Sequence, residues 1–154
     1  MEGIGKRLQP ACILLDLHAS DKQAVISQMV DALRSCYPIT AVDKLIEDIL
    51  ARENIASTCL GSGCAVPHAH STGLKSSYIA AARLATPLQM DTPDEEPVSL
   101  VFLLVGPPLK ASLHLKILSK LARLLHDERF RIALKQAKTP QEFLDTIIEK
   151  EMRV

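Results

Sequence analysis

The run from Val98 to Val105 constrains the fold more than any other segment, because every residue in it except Ser99 is apolar. Such a run is far too short to cross a bilayer, which takes about 20 apolar residues in a helix. Continuous apolar character without polar alternation is typical of a strand that is buried on both faces. We therefore predict a central strand here, and other elements must cover both sides of its sheet.

Apolar periodicity divides the rest of the chain into helical and extended parts. Glycines and prolines punctuate short apolar runs throughout residues 55–105, which predicts further strands at 64–66 and 78–84 and a loop at 87–97. Apolar residues recur at helical spacing before and after that region. This order predicts an α/β fold in which helices cover a sheet, and no linker or repeat divides the single domain that we expect over residues 1–154.

Capping residues indicate where the predicted helices begin. Ser20 and Gln23 have the spacing of a capping box, and Thr40 precedes the apolar stripe of a second helix. Ser112 is the expected cap of a third helix, and Pro140 lies in the first turn of the last one.

Composition excludes several classes of partner. The 18 basic and 18 acidic side chains give a formal net charge of zero, so we expect no strong attraction to nucleic acid or to a membrane surface. Only 3 % of the residues are aromatic, which argues against platforms that stack bases or sugars. The N-terminal residues lack the apolar core of a secretory signal. We therefore expect a cytoplasmic protein whose cysteines are reduced and mostly buried; they are Cys12, Cys36, Cys59 and Cys64.

Residues 61–68, with the sequence Gly-Ser-Gly-Cys-Ala-Val-Pro-His, concentrate the chemistry. Gly61 and Gly63 permit backbone conformations that present amide N–H groups to an anion. Pro67 fixes its own φ and favours extended backbone before it, so His68 follows a stiff segment. A neutral imidazole is a competent nucleophile, because its unperturbed pKa is about 6.5. The residues alone leave two alternatives open for His68, a structural histidine or a nucleophile.

Three motifs in order resemble one known family. The pattern Gly-x-Gly-x-Ala-x-Pro-His at 61–68 resembles the active-site signature of the enzyme IIA domain of the bacterial phosphotransferase system, fructose/mannitol type. Arg52-Glu53 followed by Ser57-Thr58 matches the pattern upstream of it, and residues 114–118 resemble the segment with the second histidine. The similarity runs from about residue 8 to 151 and is closest to the stand-alone nitrogen-regulatory branch.

The resemblance implies a mixed β-sheet of about four to five strands, flanked by helices on both faces, and the function of a histidine phosphocarrier. His68 would accept a phosphoryl group from a phosphorylated HPr-type protein and pass it to a IIB component, or hold it as a signal for a regulatory target. Arg52 matches the position that stabilises the phosphoryl group, and His114 matches a supporting position. Thr58 is a further candidate through its hydroxyl. The family pattern favours the ε nitrogen of His68 and needs no cofactor and no metal.

Elementary chemistry agrees with these roles. Arg52 lies at the edge of the apolar stripe of its predicted helix, so it can reach inward and offer a guanidinium fork to phosphate oxygens. His114 falls in the first turn of its helix if Ser112 is the cap. The positive end of that helix disfavours imidazolium there, while nearby amides can receive an anion.

Other interpretations remain open. His70 stands where family members often have a basic residue. A neutral imidazole at this position would weaken the local positive field and alter partner choice. A second candidate site is a zinc tetrad of Cys59, Cys64, His68 and His70, although the spacing matches no common zinc motif. The chain could also serve sugar transport as a IIA component, or bind partners without turnover. The lack of a predicted membrane segment or appended domain favours the regulatory type.

Overall fold

The computed structural model describes residues 3–153, which form a mixed α/β fold. Six strands make one sheet in the order β1-β5-β6-β3-β2, and β4 also pairs with β6. The strands are β1 Ile13–Leu17, β2 Cys59–Gly61, β3 Cys64–Ala65, β4 His68–His70, β5 Tyr78–Leu88 and β6 Val98–Gly106. The predicted fold class is confirmed, with six strands in place of four to five; three of the six have three residues or fewer.

The predicted central strand is β6, which pairs with three other strands. It runs antiparallel to β5 and parallel to β3 and β4. Cys64 lies opposite Leu100, and His68 lies opposite Leu104. Residues 64–70 therefore follow β6 as one strand that is interrupted at Pro67, which has no N–H to donate to a ladder. This register fixes where the histidine motif emerges from the sheet.

Five α-helices cover the sheet in two groups. The helices are α1 Lys22–Cys36, α2 Val42–Ile55, α3 Ala111–Leu125, α4 Glu128–Gln136 and α5 Pro140–Arg153. Helices α1 and α2 pack together, and α4 contacts both α3 and α5. The apolar residues of β6 from Val98 to Val105 are all buried, as expected for a strand with cover on both faces.

Three of the predicted helix starts lie close to the observed ones but use other residues. Asp21, not Ser20, caps α1, and its carboxylate accepts a hydrogen bond from the Ala24 N–H at 2.8 Å. Ala41 occupies the cap position of α2, so Thr40 does not cap it. Helix α3 begins at Ala111 after a short 3₁₀ turn, so Ser112 lies inside it.

The last helix begins as predicted, but the loop before β6 is shorter than expected. Pro140 opens α5, and the Thr139 hydroxyl accepts a hydrogen bond from the Glu142 N–H at 3.1 Å. Strand β5 continues to Leu88. The loop predicted at 87–97 therefore begins at residue 89, and the predicted strand 78–84 is four residues longer at its end.

The carboxylate of Glu151 joins three segments that are distant in sequence. It accepts hydrogen bonds from the backbone N–H groups of Ile4 and Gly5, each at 2.8 Å. It also forms an ion pair with Lys120 in α3 at 2.8 Å. Burial opposes ionisation of Glu151, but Lys120 and the two amides outweigh it and lower the pKa of the carboxyl. We call this arrangement the Glu151 clasp.

Candidate active site

Strand β4, the C-terminal half of α2 and the N-terminal half of α3 meet at an open cleft of about 410 Å³. Three of the four candidate residues, Arg52, His68 and His114, line it. The other lining residues are Asp48, Ala69, His70, Ala111, Leu115 and Leu118. The structure thus brings together residues that are up to 62 positions apart, counting from Arg52 to His114.

The glycine-rich turn between β2 and β3 lies away from this cleft. Gly61, Ser62 and Gly63 have φ values of +89°, +54° and +77°, a left-handed stretch that glycine tolerates without strain. The Ser62 N–H donates to the Asp94 carboxylate at 2.8 Å, and a Cβ on Gly61 would lie 3.1 Å from that carboxylate. The expectation that this turn cradles an anion at the site is therefore wrong: the turn shapes the hairpin that leads into β4.

His68 is the first residue of β4, and its ring has a defined tautomer. Nδ1 lies 2.8 Å from the backbone oxygen of Val66. A carbonyl can only accept, so Nδ1 carries the proton and Nε2 keeps its lone pair. Burial lowers the pKa of His68, and the positive charge of Arg52 lowers it further, against the opposing effect of the Val66 hydrogen bond. The ring is therefore neutral at pH 7.

His114 is a buried imidazole without a hydrogen-bond partner among residues 3–153. It is 3 % exposed, and neither Nδ1 nor Nε2 has a partner there. Its ring centroid is 5.6 Å from that of His68 and 4.2 Å from that of His70. Burial, followed by the charges of His70 and His68, lowers the pKa of His114 to about 4. A neutral His114 carries one N–H, and neither ring nitrogen has accessible surface.

Arg52 lies in the last turn of α2 and supplies the positive charge of the cleft. Its Nη1 donates to the backbone oxygen of Ala56 at 3.1 Å, which anchors the side chain at the helix end. A guanidinium has five N–H donors in a planar fork, so this anchor leaves others for an anion. The half-buried position agrees with the prediction from its place at the edge of the apolar stripe.

Thr58 is placed behind the cleft, against the buried carboxylate of Glu53. The Thr58 hydroxyl donates to one carboxylate oxygen of Glu53, and Lys22 pairs with the other at 3.2 Å. The lining residues of the cleft do not include Thr58. Its hydroxyl therefore supports the end of α2 and is not positioned beside His68.

Asp48 lines the cleft and Ser71 holds its carboxylate; sequence reasoning missed both residues. The Ser71 hydroxyl donates to Asp48 at 2.6 Å, and Lys44 pairs with the same carboxylate at 3.1 Å. The Ser71 hydrogen bond is the main cause of the lowered pKa of Asp48. Asp48 precedes Arg52 by four residues, so helical periodicity alone places both on one face of α2. The pair ties α2 to the residue that follows β4.

The second candidate site, a zinc tetrad, has no support in the geometry. Within residues 3–153 no group of three or more histidine, cysteine or carboxylate side chains is arranged to hold a metal ion. Cys64 is buried, and burial raises the pKa of its thiol to about 11, which disfavours the thiolate that zinc requires.

Comparison with known proteins identifies the family. The family model described as "Phosphoenolpyruvate-dependent sugar phosphotransferase system, EIIA 2" matches residues 6–150. The chain belongs to this family. It is thus an EIIA component of the phosphotransferase system, as the motif at 61–68 predicted.

Relatives named as nitrogen regulatory proteins and relatives named as sugar-specific components both match the chain, and the sugar-specific ones include a fructose-specific EIIA component of Haloferax volcanii that is 30 % identical over 89 % of each chain. A nitrogen regulatory protein of Pseudomonas aeruginosa is 28 % identical over 142 residues, which cover 92 % of each chain. The crystal structure of the nitrogen regulatory protein IIA-Ntr from Neisseria meningitidis is 32 % identical, with a TM-score of 0.86 over 94 % of this chain and 98 % of that one. The EIIABC component specific for 2-O-alpha-mannosyl-D-glycerate of Escherichia coli is 31 % identical over 140 residues, but the chain spans only 21 % of its length.

No helix within residues 3–153 has the length and apolar character needed to span a membrane.

Proposed function

We propose that this chain is a single-domain cytoplasmic histidine phosphocarrier that accepts a phosphoryl group on Nε2 of His68 from a phosphorylated HPr-type protein. The observation that carries the proposal is the hydrogen bond between Nδ1 and Val66, which leaves Nε2 of a cleft-lining ring unprotonated. An imidazole nitrogen with a free lone pair is the nucleophile that phosphoryl transfer requires.

The transfer step follows from this geometry. The Nε2 lone pair of His68 attacks phosphorus, the P–N bond of the donor phosphohistidine breaks, and the electron pair of that bond returns to the donor ring. Charge spreads over the equatorial oxygens in the transition state, so fixed donors accelerate the step. Arg52 supplies a cationic fork, and His114 supplies a neutral N–H. The Nδ1–H of His68 keeps donating to the Val66 carbonyl throughout and holds the ring in line.

We assign the chain a regulatory role of the nitrogen-phosphotransferase type. This assignment is supported by relatives of similar length that are named nitrogen regulatory proteins, and by the high structural similarity to one of them. A downstream regulatory target, rather than a IIB component, would then sense the phosphoryl group, which adds about two negative charges to a chain of zero net charge.

Reconstituted phosphotransfer tests the acceptor. The purified chain is incubated with phosphoenolpyruvate, enzyme I and HPr, and the intact mass is measured before and after brief acid treatment. We expect a gain of one phosphoryl group that acid removes, and no gain for His68→Ala. His126→Ala is the matched control, because His126 is exposed and lies outside the cleft. Equal labelling of His68→Ala and wild type would show that another residue accepts the group.

A second experiment separates regulation from sugar transport and from binding without turnover. The phosphorylated chain is mixed with a fructose- or mannitol-type IIB component, and loss of the phosphoryl group is followed. Retention on His68 agrees with the regulatory role, whereas rapid transfer to IIB would assign the chain to transport. A wild-type chain that takes up no phosphoryl group in the first experiment would instead be a binding module that keeps the fold.

A further inference from the structure

Two thiols converge outside the cleft, where the 3₁₀ turn Pro10–Cys12 packs against the C-terminal end of α1. Cys12 is fully buried, and its Sγ donates to the backbone oxygen of Ala32 at 3.6 Å. Cys36 is the last residue of α1, so its N–H points at the same Ala32 oxygen through the i to i−4 helical bond. The Cys12 sulfur and the backbone of Cys36 therefore meet at one carbonyl.

The two thiols also differ in their access to solvent. Cys36 is half-buried and packs against the edge of the core, whereas Cys12 has no exposed surface. Burial, together with direct interaction with the Cys36 thiol, raises the pKa of Cys12 to about 12. An oxidant from solution therefore reaches Cys36 first, and Cys12 stands directly behind it.

We propose that Cys12 and Cys36 are a dithiol pair that hydrogen peroxide oxidises reversibly to a disulfide. In the first step the Cys36 sulfur attacks one peroxide oxygen, the O–O bond breaks, and Cys36 sulfenic acid and water form. In the second step the Cys12 sulfur attacks the Cys36 sulfur, the S–S bond forms, and the S–O bond breaks. The hydroxide leaves with the Cys12 proton as a second water. Two thiols have then lost two electrons, and peroxide has gained them.

The other two cysteines lack this arrangement and provide an internal control. Cys59 lies opposite Ala65 in the β2–β3 pair, and neighbouring residues of a strand point to opposite faces. Cys64, beside Ala65, therefore points away from Cys59. Its thiol contacts the Ser62 oxygen at 3.8 Å instead. All four cysteines are free thiols in the structure.

Peptide mapping after peroxide treatment tests the pair. The reduced chain is treated with hydrogen peroxide, remaining thiols are alkylated, and the digest is analysed by mass spectrometry without reductant. We expect a cross-linked peptide pair containing Cys12 and Cys36, two hydrogen atoms lighter than the separate peptides, which dithiothreitol restores. The Cys36→Ser chain forms no cross-link, and the Cys59→Ser chain, which removes another half-buried thiol, forms it as wild type does.

The order of the two steps has its own test. In Cys12→Ser the sulfenic acid at Cys36 has no partner, so dimedone, which traps sulfenic acids, labels Cys36 in this variant more than in wild type. Wild type that oxidises Cys36 directly to sulfinic acid, or that links any other pair first, would overturn the proposal. Because the readout is a covalent bond between residues that do not line the cleft, it is independent of whether His68 accepts a phosphoryl group.

Discussion

Three imidazoles line one cleft, and each has a different surrounding. His68 is half-buried and held by a carbonyl, His114 is buried with both nitrogens unpartnered among the described residues, and His70 is exposed and lies against His114. Environment, not residue type, therefore separates the expected roles of nucleophile and neutral donor. This is the same logic by which paired titratable groups in other sites take opposite roles.

Loss of His114 should slow the transfer without abolishing it. His114→Ala removes one neutral N–H donor to the phosphoryl oxygens, and such a donor is worth about 10²-fold in rate. We expect a single-turnover rate from phosphorylated HPr that is about 10²-fold lower, with the same final stoichiometry on His68. A His18→Ala control, at an exposed histidine outside the cleft, should keep the wild-type rate. An unchanged rate for His114→Ala would remove His114 from the transfer step.

The low pKa of His114 also predicts a specific loss of stability in acid. The folded-state pKa of about 4 lies below the usual 6.5, so between these values the unfolded chain binds more protons. The free energy of unfolding has its full value with respect to His114 above pH 6.5, where the ring is neutral in both states. It decreases as the pH falls toward 4, by about 3 kcal/mol in all. We expect urea unfolding to show that His114→Gln loses less stability than wild type between pH 7 and pH 4.5. Parallel losses in the two chains would contradict the shift.

Much of the site could be predicted from sequence, but not the direction of its polar groups. Arg52 and His114 were found because residue type and order match a known motif, and helical spacing places Arg52 at an inward-facing edge. The motif gave no information on where an amide or hydroxyl points. The Ser62 N–H is directed to Asp94, and the Thr58 hydroxyl to Glu53. Such directions depend on contacts between segments that the chain order does not reveal.

Among the secondary-structure elements, β1 and β4 are strands that the sequence did not predict. Strand β4 has three residues, two of them histidines, so neither composition nor alternation indicates a strand. Strand β1 has an irregularity at Asp16, whose φ is +55°. Both strands exist because β5 and β6 offer them a partner, which is a tertiary effect. The long apolar run of β6, in contrast, was sufficient by itself to predict a buried strand.

The cap of α1 can be tested as a local device. Asp21→Ala removes the carboxylate that accepts the Ala24 N–H and leaves an amide of the first turn without its partner. We expect a loss of about 1 kcal/mol in the free energy of unfolding. Ser20→Ala, at the residue that the sequence pattern favoured, should change stability by less than about 0.5 kcal/mol. Thermal or urea unfolding compares the two variants. A larger loss of stability for Ser20→Ala than for Asp21→Ala would show that Ser20 caps α1, as the sequence pattern predicted.

For the whole molecule, the Glu151 clasp joins two residues that lie 147 positions apart in the sequence, Ile4 and Glu151. Glu151→Gln removes the charge that pairs with Lys120 and weakens two amide hydrogen bonds. We expect a loss of about 2–3 kcal/mol in the free energy of unfolding, because charged hydrogen bonds of partly buried groups are strong.

Glu149→Gln is the matched control for the clasp. Glu149 pairs only with Arg153 among its described contacts, and both side chains are about 70 % exposed. An exposed pair of this kind contributes about 0–1 kcal/mol. Equal effects of the two substitutions in urea unfolding would show that the clasp does not stabilise the fold beyond an ordinary surface pair.

The clasp also has a consequence for how the chain is made. The amides of Ile4 and Gly5 leave the ribosome well before the carboxylate that satisfies them, because Glu151 is translated 147 residues after Ile4. Strand β1 likewise waits for β5, its only strand neighbour in the described sheet. The N-terminal segment therefore cannot form these native contacts until residue 151 has been synthesised. In a nascent chain that stalls before this point, we expect the segment to be exposed to chaperones and proteases.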